Sequence, residues 1–289
     1  MNFKLFIFLL FISLLLSCKK EDKNKINNLN NGVIYGIGHA GIGLQSVYNQ
    51  LPENSMVSIK KAIEVYNADG VEVDVQMTKD DKLVLYHDNK LETSTNGYGF
   101  IYEYNLCELS DFKFDTDIYA NIFLNEKILS LASGLEYLSN RKNPPQLHLD
   151  LRQWIYDETL LTSNDFFLIY AKEIVNLINK YNYQQHTYVN SGDINLLNII
   201  HQLDATLKLT IESNNITWAT QVARNNNLYG IVADNKLVSK KDVDYAHSKN
   251  VKVILFNMRS QFSINNAVKK NPDYIITDNI PILQQIIYK

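Results

Sequence analysis

Cysteine is almost missing from this 289-residue chain: it has two, with none of the zinc-site spacings around them. That excludes a disulfide framework and a structural zinc site. An excess of one charge is missing too. Lys and Arg number 28 against 31 Asp and Glu, a formal net charge of −3, so no basic field exists to hold nucleic acid. With 5 Pro and 11 Gly the chain is neither collagen-like nor low-complexity. What is present is an ordinary globular balance, 46% hydrophobic and 20% charged. The length suits two small domains or one α/β barrel of roughly 250 residues.

The longest apolar run, LFIFLLFISLLL at 5–16, is shorter than the roughly 20 residues of a membrane-crossing helix. Lys4 precedes it and Ser17-Cys18 follows it, the layout of a secretory signal peptide. Leu15-Leu16-Ser17-Cys18 resembles a bacterial lipobox. The expectation is a signal peptide over 1–17, a lipidated Cys18 and a protein held at the cell envelope by its lipid, at the outer membrane or cell surface. Cys107 is then the only other thiol, so no internal disulfide can form. Residues 18–31 have no apolar period and read as a flexible, solvated tether. The folded unit is one domain over 32–289.

From residue 32 on, short β-rich apolar runs alternate with helical patterns. The runs fall at 33–38, 70–75, 146–151, 187–190, 207–211, 230–233, 251–256 and 274–277. The helical patterns fall at 56–67, 128–140, 166–181, 194–203, 216–227, 240–249, 260–270 and 280–288. Alternation of this kind makes a parallel sheet with helices outside. Eight units predict an α/β fold, a (β/α)8 TIM barrel. The open doubly wound sheet is the runner-up; it lacks a G-x-G-x-x-G after the first strand.

One extended run, 82–86, follows the second strand too closely for a parallel crossover and must fold back as a hairpin. A turn centred between Lys79 and Asp80 sets His87 opposite Glu72 and Leu85 opposite Asp74. The stretch of about 89–127 has no clear period and reads as a small insertion on the active face. Its aromatics, Tyr98, Phe100, Tyr102, Tyr104, Phe112 and Phe114, read either as a small satellite core or as a surface that stacks on a cationic substrate group.

Acids and imidazoles gather at strand ends. His39 closes the first strand. In Val71-Glu72-Val73-Asp74-Val75 the alternation puts both carboxylates on one face and the valines on the other. The valines belong against the helices, so the acids point inward. Two inward like charges about 7 Å apart need compensation, and a divalent cation on oxygen ligands provides it. The third strand repeats the pattern, with Leu147, Leu149 and Leu151 alternating with His148, Asp150 and Arg152. His148 lies deeper and reads as structural. His186, His201 and His247 carry no pattern.

This constellation resembles the glycerophosphodiester phosphodiesterase family. Gly38-His39-Ala40-Gly41 matches its His-Arg-Gly opening except at one position. Pro52-Glu53-Asn54-Ser55 resembles its Pro-Glu-Asn-Thr box, and Glu72-Val73-Asp74 its Glu-x-Asp metal strand. Thr78 through His87-Asp88 resembles the hairpin that ends in its second catalytic histidine. Asp150-Leu151-Arg152 stands where the family has Glu-x-Lys, and 275–279 resembles its closing strand. The resemblance implies one divalent cation, Ca²⁺ or Mg²⁺, on Glu72, Asp74 and Asp150. It implies His39 and His87 as general acid and base, and a small-molecule glycerophosphodiester cut to glycerol 3-phosphate and an alcohol. Asn257, at the seventh strand's end, is a substrate-binding candidate by position.

Ala40 departs from the pattern, because alanine cannot make the two-pronged phosphate contact of an arginine. Arg152 is therefore expected to take over part of that contact. Two alternatives stand beside the leading reading. One is a phospholipase of the C or D type acting on intact lipid headgroups. The other is a non-catalytic lipoprotein that binds phosphodiesters or sugars.

Overall fold

The computed structural model describes residues 26–42, 51–114, 126–152 and 164–288. Its strands are β1 (Tyr35–Gly38), β2 (Gly70–Met77), β3 (Leu83–Leu85), β4 (Leu129–Ser130), β5 (Gln146–Leu151), β6 (Thr187–Ser191), β7 (Lys208–Glu212), β8 (Gly230–Asp234), β9 (Lys252–Met258) and β10 (Tyr274–Thr277). All but β3 and β4 run parallel, in the order β1-β2-β5-β6-β7-β8-β9-β10. The sheet closes because β1 pairs with β10, Gly38 beside Thr277, and with β2, Gly38 beside Val71. This is the expected (β/α)8 barrel.

The helices are α1 (Met56–Lys60), α2 (Leu106–Leu109), α3 (Leu131–Ser139), α4 (Asn164–Lys180), α5 (Ile194–Leu203), α6 (Ile216–Asn225), α7 (Lys240–Ser248), α8 (Gln261–Val268) and α9 (Ile280–Ile287). Side-chain oxygens of Ser55, Ser130, Asp193, Asn215, Ser239, Ser260 and Asn279 accept the first free amides of seven of them. At the other ends a glycine-poor chain uses asparagine. Asn67, Asn182, Asn227, Asn250 and Asn271 all adopt positive φ just past a helix. Asparagine tolerates the left-handed region better than other residues with a Cβ. The helical pattern over 56–67 is realised differently from expectation: α1 passes into a wider π turn at Lys61–Val65.

Alternation along the strands sorts two cores. Val71, Val73, Val75, Leu147, Leu149 and Leu151 face outward, into the main core beneath the helices. Inside the barrel a smaller cluster of Ile37, Tyr188, Val232, Ile254, Tyr274 and Ile276 fills the lower interior. His148 lies there with its ring 4.3 Å from that of Tyr188 and nearly parallel to it. The same alternation leaves Glu72, Asp74 and Asp150 pointing inward near the carboxyl ends of β2 and β5.

The hairpin register departs from expectation by one residue. Val75 pairs with Leu85 and Met77 with Leu83, so neither Leu85 opposite Asp74 nor His87 opposite Glu72 is realised. The cause is a three-residue loop, 79–81, in place of a two-residue one. Thr78 N donates to Lys82 O (2.8 Å), and Asp81 takes φ 59°, the left-handed residue that such loops contain. His87 still reaches the barrel mouth, because the chain leaves the ladder after Leu85.

Of the insertion, 115–125 fall outside the described residues. The rest packs a satellite core of Val84, Tyr86, Leu91, Ile101, Leu109, Phe114 and Ile128, joined by Tyr104 and Phe112. Tyr98 stays exposed. Residues 1–25, which hold the expected signal peptide and Cys18, also fall outside the described residues. Residues 26–31, expected to belong to the tether, are instead sewn to the barrel floor. Asn28 Nδ2 donates to Pro272 O (2.8 Å), Leu29 N to Asp273 Oδ1 (2.8 Å) and Asn30 Nδ2 to Asp273 O (3.0 Å). These polar residues bind loop carbonyls and a carboxylate rather than water, which apolar periodicity cannot reveal. Among the described residues, no helix is long and apolar enough to cross a membrane.

Candidate active site

A cavity of about 210 Å³ opens at the carboxyl ends of the strands, lined by His39, Glu72, His87, Asp150, Arg152 and Asn257 among others. Each of these was singled out from the sequence, and Asp74 lies directly behind them.

The turn 38–41 is built to close tolerances. A Cβ on Gly38 would lie 2.0 Å from Gly41 O, and Gly41 itself has φ +80°. Ala40 also sits at positive φ, 46°. This tight turn lets Ala40 N donate to Glu72 Oε2 (3.0 Å) and Gly41 N to Glu72 O (3.1 Å). It thereby sets His39 directly over β2.

Glu72, Asp74 and Asp150 each bring an oxygen within 4.8 Å of the other two. They come together because Asp74 and Asp150 are register partners across β2 and β5. All three are buried. Burial, reinforced by the Asp74 charge, raises the Glu72 pKa. Burial raises Asp150 as well, against the lowering effect of Arg152. For Asp74 burial pulls upward too, but Arg152, His87 and the Asn54 amide outweigh it and the pKa falls. Arg152 Nε lies 2.8 Å from Asp74 Oδ1, and its Nη2 2.8 Å from Asp150 Oδ2. The guanidinium expected at the phosphate is thus spent largely on carboxylates.

Three acids share one guanidinium, and only the more distant imidazole of His39 stands near Glu72, so direct ion pairs do not balance the cluster. Oxygen-only donors, held close and excluded from water, suit a hard divalent cation. Glu72, Asp74 and Asp150 are the residues that would hold it.

His39 Nδ1 is 2.7 Å from Asp278 Oδ1, and Nε2 is 4.0 Å from Glu72 Oε2. Burial alone would lower its pKa. The Asp278 hydrogen bond and the charges of Glu72, Asp278 and Asp74 overcome that and push it up to about 10. His87 Nδ1 is 3.0 Å from Asp88 Oδ1, whose other oxygen accepts from Ser94. That hydrogen bond raises the His87 pKa against burial. Asn257, at φ 66°, lines the cavity while its Nδ2 donates to Asp234 Oδ2 (2.7 Å). His148 forms the inner wall, with burial and then Lys208 driving its pKa down to about 3.

Several contributors carried no assigned role in the sequence. Asn54 is fully buried and clasps Asp74 twice, donating from Nδ2 to Oδ2 (2.8 Å) and accepting from the backbone amide (2.9 Å). Asp278 follows β10 as His39 follows β1, so barrel closure alone predicts their contact. Arg259 lines the rim, and Nδ2 of Asn190 bridges Asp150 and Glu212 at 3.0 Å each. Nothing short of the strand order pairs those last two acids.

Among solved structures, an Oleispira antarctica phosphodiesterase in complex with the product sn-glycerol-3-phosphate has a TM-score of 0.74 and 19% identity, covering 88% of this chain and 97% of that one. A Parabacteroides distasonis glycerophosphodiester phosphodiesterase gives 0.72 and 19%, over 88% and 97%. These likenesses confirm the fold. A glycerophosphodiester phosphodiesterase of Caldanaerobacter subterraneus is 23% identical over 241 residues, 83% of this chain and 93% of its own. The model of the glycerophosphoryl diester phosphodiesterase family matches residues 47–281. His39 precedes that span, so its place in the site rests on geometry. With most of its length matched, the chain belongs to the glycerophosphoryl diester phosphodiesterase family, a family of phosphoric diester hydrolases.

Proposed function

We propose that this protein hydrolyses glycerophosphodiesters to glycerol 3-phosphate and an alcohol, with His39 and His87 as acid and base and a Ca²⁺ or Mg²⁺ on Glu72, Asp74 and Asp150. The observation that carries this reading is the trio of buried acids, two of them lining the same cavity as the two imidazoles and the third directly behind. When bound, the cation neutralises the non-bridging phosphate oxygens and stabilises the charge that develops there.

The remaining work falls to the chain itself. Asn54 and the Ala40 amide fix Asp74 and Glu72 in orientation. Asp278 holds His39 by Nδ1, which leaves Nε2 as the atom that exchanges a proton in the cavity. One imidazole removes the proton of the attacking hydroxyl while the other protonates the leaving oxygen. Asn257 and Arg152, on the cavity wall, contact the glycerol and phosphate parts of the substrate.

Lipidation at Cys18 would place the enzyme at the cell envelope. The described chain leaves from the floor, opposite the mouth, and residues 18–25 span at most roughly 28 Å. An anchored barrel then presents its cavity away from the membrane that holds it, which favours soluble diesters over intact phospholipids.

The test is hydrolysis of glycerophosphocholine with and without a chelator, alongside headgroup release from phosphatidylcholine vesicles. The reading expects chelator-sensitive glycerol 3-phosphate release, no vesicle hydrolysis, and kcat losses of about 10²- to 10⁴-fold in His39→Ala and His87→Ala. Absence of turnover with every divalent metal would leave a binding protein; headgroup release from vesicles would make it a phospholipase.

A further inference from the structure

A phosphodiester carries a negative charge into a cavity walled by Glu72, Asp150, Glu212 and Asp278. Two guanidinium groups face it among the described residues, those of Arg152 and Arg259. They are not in the same state. Arg152 is engaged at both Nε and Nη2 by Asp74 and Asp150. Arg259 is tied at Nε alone, 2.8 Å from Asp278 Oδ2. Its side chain is 59% exposed, and neither terminal nitrogen has a partner among the described residues.

The backbone at this position is fixed. Arg259 N donates to Ser263 Oγ (3.2 Å), at the first turn of α8, and Arg259 O accepts from Asn279 Nδ2 (3.5 Å). A planar group clamped along one edge, with its other edge open to a cavity, is preorganised for two parallel bonds to an anionic oxygen pair. Position 40, beside His39, offers only a methyl group for that purpose.

Building on the proposed hydrolysis, we propose that Arg259 supplies the two-pronged contact to the non-bridging oxygens of the phosphodiester, through its two terminal nitrogens, a contact that Arg152, held at Nε and Nη2, cannot make. Asp278 is the positioning residue that makes this useful. One of its oxygens holds His39 Nδ1 and the other holds Arg259 Nε. The anion-binding group and a proton-transferring imidazole therefore share one carboxylate, which fixes where phosphate sits relative to His39.

The experiment compares wild type, Arg259→Ala and Arg259→Lys. It measures steady-state hydrolysis of glycerophosphocholine and, independently of turnover, calorimetric binding of sn-glycerol 3-phosphate and of glycerol. Arg259→Ala should raise KM and weaken glycerol 3-phosphate binding by about 10- to 100-fold, with glycerol binding unchanged. Arg259→Lys should recover part of the loss, because it keeps the charge and lacks the fork.

A fall in kcat with a displaced pH profile, but unchanged KM and glycerol 3-phosphate affinity, would overturn the proposal and leave Arg259 only a support for Asp278. Equal weakening of glycerol and glycerol 3-phosphate would overturn it as well. Failure of the functional reading looks different. There, wild type turns over no diester, while Arg259-dependent binding of glycerol 3-phosphate would still uphold the anion site.

Discussion

Asp273 at the barrel floor and Asp74 at its mouth are equally hidden from water, yet they are held in opposite ways. Asp273 accepts from Leu29 N and Val253 N and pairs with His247 Nε2 at 2.8 Å each. Its oxygens are met by donors and a single imidazole, and among the described residues it belongs to no cluster of acids. Asp74 has Glu72 and Asp150 within 4.8 Å, and one arginine shared with Asp150. The floor is a solved electrostatic problem that locks the entering chain to the strands. The mouth is left unsolved, and packed protein keeps acids in that condition where a ligand completes the balance.

The comparison breaks most visibly at the mouth. Glu72→Gln keeps the acceptor for Ala40 N and removes one of the crowded charges. Activity should fall on the order of 10²- to 10³-fold, about 3–4 kcal/mol in the barrier, while the melting temperature holds or rises. Paired kinetics and calorimetry check both halves. A large loss of stability would mean that Glu72 is structural after all.

At the floor the signs reverse. Asp273→Ala strands the buried Val253 amide, the half-buried Leu29 amide and His247, so unfolding should become easier by about 3 kcal/mol. Activity per folded molecule should stay near that of wild type. Urea unfolding beside active-site titration measures this, and an intact unfolding midpoint would contradict it.

At mildly acid pH the smallest effect lies between the two regions. Folded His148 titrates at about 3, whereas an unfolded histidine titrates near 6.5. Below pH 6.5 the unfolded chain therefore binds a proton that the folded barrel refuses. Stability should drop by up to about 1.4 kcal/mol per pH unit from 6.5 down to 3. His148→Phe, which keeps a ring against Tyr188, should flatten that part of the acid limb. Identical pH profiles for the two proteins would show that the folded site accepts the proton.

Much of this barrel is written in local pattern. Val71-Glu72-Val73-Asp74-Val75 and Leu147 through Arg152 announce by alternation which face meets the helices and which the barrel interior, and that already brings the three acids together. The hairpin register escaped, because one residue at positive φ, Asp81, decides it and aspartate can sit in either kind of turn. Asp278 and Arg259 escaped for a different reason. Asp278 meets His39 only where the last strand returns to the first, and Arg259 meets Asp278 only through the β9–β10 pairing, so both contacts join residues far apart in sequence that no local pattern links. The floor residues 26–31 look like solvated chain, since their hydrogen bonds go to a loop some 240 positions away. His87 was found for its place in the hairpin, although the pairing that was to deliver it is not the one the chain adopts.

The central claim is that Glu72, Asp74 and Asp150 surround one cation. Crystals soaked in Mn²⁺ and measured for anomalous scattering test it most directly. One strong peak is expected within coordinating distance of all three carboxylates, with Arg152 withdrawn from at least one of them. A peak elsewhere in the cavity, or none between the acids in crystals of an enzyme that turns over with Mn²⁺, would contradict it.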